Sequence, residues 1–151
     1  MEYRGSIYFD MDGTLVDLYR VPEWLPKLRE CDPSPYLEAA PMVEPEKLVE
    51  VLNKLREKGY RIGIVSWLSK DSTKDYDRAV RASKALWLYE NLLRFQFDEI
   101  HFVKYGRAKH NVVKDKKGLL FDDSDEVLKK WKGEKVDVKE KEIIDVLLGL
   151  L

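Results

Sequence analysis

Asp10 and Asp12 are two carboxylates separated by a single residue, set directly behind the apolar run Ile7-Tyr8-Phe9 and directly ahead of Gly13-Thr14. Bringing two carboxylates together costs solvation, and each raises the other's pKa. A chain that does this has a cation, a proton or a reaction to compensate them. A second acidic group, Asp122-Asp123-Ser124-Asp125, stands directly behind another apolar run, Leu119-Leu120-Phe121. Together the two groups make an oxygen-ligand site for a hard cation. Mg²⁺, which takes few carboxylates plus water and phosphate oxygens, suits that count. A calcium-binding EF-hand loop does not, because the position of its closing Glu is occupied by Val21. Asp122 is the favoured direct ligand in the second group. Asp123, with Glu126 three residues on, also reads as the N-cap of a following helix.

Ser66 ends the run Ile62 to Val65, where its hydroxyl can bond a phosphate oxygen. Lys109 precedes the second acidic group and offers a point charge for a phosphoryl oxygen. Each has a plainer alternative. Serine ends many strands, and Lys109 lies among Lys104, Arg107, Lys114, Lys116 and Lys117, most of which must be solvated. Asp12-Gly13 between apolar runs is also a hairpin signal. His101 and His110 lack the spacing of a metal pair. Trp24 and Trp67 are more readily explained by core packing than by stacking on a substrate ring.

Those residues need elements to position them. Ile7 to Phe9 reads as a buried strand with Asp10 at its carboxyl end, where open α/β sheets bind ligands. Leu48, Val51, Leu52 and Leu55 have helical spacing, with Pro45 suited to the first turn and Gly59 to the C′ position. Tyr60 to Ser66 reads as a second strand, Tyr76 to Leu93 as a long helix, and Glu99 to Val103 as a third strand. Lys104 to Lys117 reads as a basic loop plus helix. A strand at Leu119 to Phe121, a helix from Asp125 to Trp131, a short strand at Val136 to Val138 and a helix from Glu140 to Leu148 complete the chain. Strands alternating with helices predict a three-layer α/β/α, Rossmann-like domain over residues 1–151 with a mainly parallel sheet. The handedness of its crossovers brings Asp10, Ser66 and Asp122 to one edge, and the hairpin reading weakens accordingly. All six prolines fall between Pro22 and Pro45. Residues 17–45 are therefore expected to be an irregular, cap-like insertion with one short helix at Trp24 to Arg29.

The composition bounds the function. Basic and acidic residues number 27 and 28, so no general affinity for nucleic acid or anionic membrane is expected. The one cysteine, Cys31, cannot form an internal disulfide and has no base beside it in sequence, which fits a bystander thiol in a reducing compartment. The first residues carry no signal-peptide core, and the apolar run at Ile143 to Leu151 is too short to span a bilayer. A soluble, cytoplasmic protein is expected.

In order along the chain, Asp10-Met11-Asp12-Gly13-Thr14, Ser66, Lys109 and Asp122-Asp123 resemble the four motifs of the haloacid dehalogenase superfamily of phosphohydrolases. The run Ser83 to Leu88 and the ending Leu119 to Asp123 are similar to the 5′(3′)-deoxyribonucleotidase type and to small phage and gut-bacterial nucleotidase-like hydrolases. That type carries a substantial helical cap, whereas only the proline-rich stretch is available here. The resemblance implies that Asp10 attacks phosphorus and that Asp12 protonates the leaving oxygen. It also implies that Gly13, Ser66 and Lys109 surround the phosphate, and that Mg²⁺ is held by Asp10, Asp12 (through its carbonyl) and Asp122 or Asp123. The implied activity is phosphomonoester hydrolysis of a small metabolite such as a nucleoside monophosphate. A binding module without turnover and a polynucleotide-end phosphatase are the alternatives. Asp10 and Asp12 together argue against the first, and the charge balance argues against the second.

Overall fold

The computed structural model describes residues 2–151. Five strands, β1 (Gly5–Phe9), β2 (Tyr60–Trp67), β3 (Glu99–Val103), β4 (Leu119–Asp122) and β5 (Lys135–Asp137), pair in parallel in the order β3-β2-β1-β4-β5. The chain winds outward from β1 to β3, then returns to place β4 against the other side of β1. This reversal is the switch point at which a parallel sheet opens a crevice beyond its carboxyl ends. Asp10 follows β1 and Asp122 closes β4, so the two acidic groups flank that crevice. No hairpin forms at Asp12-Gly13. The Gly13 N–H bonds the Val16 carbonyl and the Val16 N–H bonds the Met11 carbonyl, which closes a tight loop instead.

Alternation along the strands divides the core. Ile7 and Phe9 align with Ile62 and Ile64, and this face packs against α3 (Pro45–Glu57), α4 (Lys74–Asn91) and α6 (Ile143–Leu148). Tyr8, Val65 and Leu120 face the opposite side, against Val127 and Leu128 of α5 (Asp125–Lys130) and against Trp131. Burial on both faces is why the strands read as near-continuous apolar runs. Pro45 opens α3 behind the capping carboxylate of Glu44, and Gly59 follows its end at φ +107°, as the sequence predicts. The Thr73 hydroxyl accepts from the Tyr76 N–H, so α4 begins two residues earlier than expected. α6 begins at Ile143, three residues later than expected.

The connection from β3 to β4 departs most from expectation. No α-helix forms between Lys104 and Lys117; a single 3₁₀ turn, Lys109–Asn111, interrupts an extended loop. The segment has no apolar stripe with which to bury a helix, and polar contacts fix it instead. Tyr8 Oη donates to Glu99 Oε2 at 2.7 Å, the Asp115 N–H donates to Tyr8 Oη at 3.0 Å, and the Lys114 N–H donates to Glu99 Oε1 at 3.0 Å. The Tyr8 ring lies so close to Gly118 that a β-carbon there would come within 2.6 Å of it. Anchored in this way, the loop carries Lys109 into the core.

The proline-rich stretch contains a 3₁₀ turn, Leu18–Arg20, the expected helix α1 (Trp24–Arg29) and an unanticipated helix α2 (Ser34–Glu38) with Pro35 in its first turn. Leu18 and Tyr36 pack with Leu68, Tyr76 and Val80. Tyr76 Oη donates to the Asp32 carbonyl at 3.0 Å, and Trp87 Nε1 donates to the Ala39 carbonyl at 2.8 Å. The stretch is a small cap, tied to the body along its length. Among the described residues, no helix is long and apolar enough to cross a membrane.

Candidate active site

Asp10 and Asp122, both buried, approach from neighbouring strands with Lys109 between them. Lys109 Nζ donates to Asp10 Oδ1 at 2.9 Å and to Asp122 Oδ2 at 2.7 Å. Thr14 Oγ1 donates to Asp10 Oδ2 at 3.0 Å, and the Ser124 N–H to Asp122 Oδ1 at 3.0 Å. Asp123 completes the group: one oxygen from each of Asp10, Asp122 and Asp123 lies within 4.8 Å of the others. The cap of α5 is Ser124, whose Oγ accepts from the Val127 N–H. This corrects the N-cap reading of Asp123 and frees its carboxylate for the cluster.

Charge on these groups is incompletely compensated. Burial first, and then the Asp10 charge, push Asp122 up to about 6 and Asp123 up to about 8. Burial also works against the Lys109 ammonium, but Asp10 and Asp122 outweigh it and hold its pKa above the ordinary lysine value. Three convergent carboxylates holding surplus negative charge fit a hard divalent cation. Gly13 makes room for them. At φ +82°, a β-carbon on Gly13 would sit 2.2 Å from Asp123 Oδ2. Its N–H is taken by Val16 and is not turned to a ligand. Gly13→Ala is expected to cost about 1–3 kcal/mol in backbone strain. It should also weaken divalent-cation binding at least about tenfold by displacing one of the ligands, a loss of roughly 1.4 kcal/mol. Titration calorimetry with Mg²⁺ on the folded variant checks this, and an unchanged affinity would show that Asp123 is not a ligand.

Asp12 stands apart from the cluster. Its side chain turns to Lys84, a residue of α4 whose importance the sequence reading missed. Lys84 is 1% exposed, and its Nζ donates to Asp12 Oδ2 at 2.8 Å, Ser66 Oγ at 2.8 Å and the Trp67 carbonyl at 2.7 Å. The Tyr36 ring of the cap lies 5.0 Å from the same ammonium. Burial raises the Asp12 pKa, against the lowering effect of Lys84. Asp12 Oδ1 is buried without a hydrogen-bond partner. The predicted residues Asp10, Asp12, Ser66, Lys109, Asp122 and Asp123 therefore gather at one edge, but as two groups. One is acidic around Lys109; the other is Asp12 with Ser66 around Lys84.

A cleft of about 670 Å³ opens from Asp10, Asp12, Lys109 and Asp122 toward the cap. Its walls are strongly aromatic. Tyr19 meets Trp24 edge-on at 5.0 Å on the cap side, and Trp67 meets Tyr105 at 4.8 Å on the other. Trp67 Nε1 donates to the Arg107 carbonyl, and the Trp67 ring lies 5.4 Å from Lys109 Nζ. Trp24 and Trp67 pack against the core, as the sequence favours, and each also lines the cleft.

No protein-family model matches the chain, and no curated protein matches it in sequence. Solved structures do match in shape. One is D,D-heptose 1,7-bisphosphate phosphatase from Burkholderia thailandensis, with a TM-score of 0.50 and 15% identity, covering 83% of this chain and 70% of that one. At that identity the likeness concerns the fold alone: an α/β architecture with a five-stranded parallel sheet and a small cap.

Proposed function

We propose that this chain is a divalent-cation-dependent phosphomonoester hydrolase that works through an aspartyl-phosphate on Asp10. The observation that carries the reading is the convergence, at the floor of one aromatic cleft, of a largely buried carboxylate cluster, a separate, partly buried Asp12 and Lys109, with Lys84 held beneath Asp12. In the first step an Asp10 oxygen bonds to phosphorus as the bond from phosphorus to the leaving oxygen breaks. The departing oxygen takes its electron pair and a proton from Asp12. In the second step a water oxygen bonds to phosphorus, its proton passes to Asp12, and Asp10 leaves as a carboxylate. Asp10, Asp122 and Asp123, with the Asp12 carbonyl, would hold a cation, which we take to be Mg²⁺, and its charge would offset repulsion between nucleophile and phosphate. Lys109 moves its hydrogen bonds from the carboxylates to the phosphoryl oxygens, and Ser66 donates to another.

The cleft is far larger than a phosphoryl group and is walled by rings. That supports a small substrate with a planar or apolar body, of which a nucleoside monophosphate is one example. A reducing compartment such as the cytoplasm suits a chain whose single thiol, Cys31, is free and exposed. The test is phosphate release from a panel of small monoesters, with and without chelator. Turnover that needs Mg²⁺ is expected. No release from any monoester by cation-loaded protein would overturn the reading, and salt-sensitive activity confined to oligonucleotide ends would redirect it.

A further inference from the structure

Lys84 has a donor-only ammonium with three hydrogens, and Asp12 Oδ2, Ser66 Oγ and the Trp67 carbonyl take all three. Two consequences follow from that inventory. Ser66 must accept in its bond with Lys84, so its own proton is left for another acceptor, and no described group takes it. Asp12 Oδ2 is held by the same ammonium, and Oδ1, buried and unpartnered, is the oxygen left without any hydrogen bond. Trp67 and Leu68 continue directly from Ser66 into the cleft wall, so the same ammonium fixes the backbone at the end of β2. Lys84 is itself almost wholly buried and is not among the residues lining the cleft.

We propose that Lys84 is a positioning residue of the hydrolytic reaction: it turns the Ser66 hydroxyl toward the phosphoryl group and presents Asp12 Oδ1 to the leaving oxygen. This rests on the phosphatase reading. The ammonium touches neither phosphate nor metal. It acts by occupying the lone pairs that would otherwise let Ser66 and Asp12 bond each other or rotate. Proton delivery by a positioned carboxyl matters for an alkoxide leaving group and little for one that is stable as an anion. In the first step a defect that acts through Asp12 therefore depends on the leaving group, whereas a loosened fold does not.

The experiment compares an alkyl phosphate with p-nitrophenyl phosphate as substrates of Lys84→Met, with Asp12→Asn supplying the reference pattern. The expected loss in kcat/KM, which reads the steps through departure of the leaving group and not the later attack of water, is about 10²–10³-fold on the alkyl ester and about tenfold or less on the nitrophenyl ester. Lys84→Gln, whose amide carries two hydrogens to offer to Ser66 Oγ and the Trp67 carbonyl, is measured in parallel, and the same skew is expected. Equal losses of kcat/KM on the two esters, with the wild type active on both, overturn the positioning role and leave the phosphatase reading standing. Collapse of both Lys84 variants assigns the residue to the fold and overturns the proposal as well. A wild type inactive on both esters overturns the two together.

Discussion

Asp10→Asn is expected to remove phosphate release altogether, a loss of at least about 10⁴-fold in kcat, with the fold intact. Asparagine keeps one acceptor oxygen for Lys109, and its amide can donate to Thr14 Oγ1, a hydroxyl able to accept as well as donate. The hydrogen-bond frame therefore survives, but an amide oxygen cannot act as the carboxylate nucleophile. The exchange also removes one of the three charges that repel one another in the acidic cluster. Metal-free Asp10→Asn should consequently melt no lower than the wild type at pH 8, while its Mg²⁺ affinity falls. Single-turnover phosphate release, read beside a melting curve, separates these effects. A folded variant within tenfold of wild-type turnover would mean that another group attacks phosphorus.

The site was legible wherever chemistry coincided with the end of an apolar run. Asp10, Ser66 and Asp122 each terminate a strand candidate, and parallel pairing puts strand ends on one edge. Lys84 gave no such signal because it lies within a helix. A subtler signal was present. Tyr76, Val80, Lys84, Trp87 and Leu88 follow one helical stripe, and four of the five are ring-bearing or aliphatic. A lysine on a stripe otherwise destined for burial must find acidic or carbonyl partners, and the partners in reach were already marked as functional. The segment from Lys104 to Lys117 failed for a related reason. Its order comes from Tyr8 and Glu99, which are distant in sequence, so no local pattern could report it. The proline-rich stretch was readable as a cap-like insertion, but the points at which it is tied were not, because its ties run to carbonyls at Asp32 and Ala39.

The same charge imbalance makes stability depend on pH and metal in an unusual direction. Unfolded carboxylates ionise near 3.8, whereas burial and the Asp10 charge hold Asp122 protonated to about 6 and Asp123 to about 8. Between those values the folded state binds more protons than the unfolded state, so stability falls as pH rises. Most surface carboxylates act in the opposite sense, since their folded pKa values are lowered by cationic partners. From this cluster the metal-free protein should lose up to about 5 kcal/mol between pH 5 and pH 8, less the solvent screening of the part-exposed Asp123, and its Tm should fall by several degrees. Lys109, whose pKa is raised by its two carboxylates, stays charged across the interval and contributes no slope. On the proposed reading Mg²⁺ would bind the ionised cluster, so its stabilisation should be small at pH 5 and should grow toward pH 8. Melting curves at the two pH values, with Mg²⁺ or chelator, measure both slopes. In Asp10→Asn the metal-free slope should shrink, because the charge that raises its two neighbours is gone. A metal-free protein that melts higher at pH 8 than at pH 5, with no Mg²⁺ shift at either, would rule out a strained carboxylate cluster as the seat of the cation.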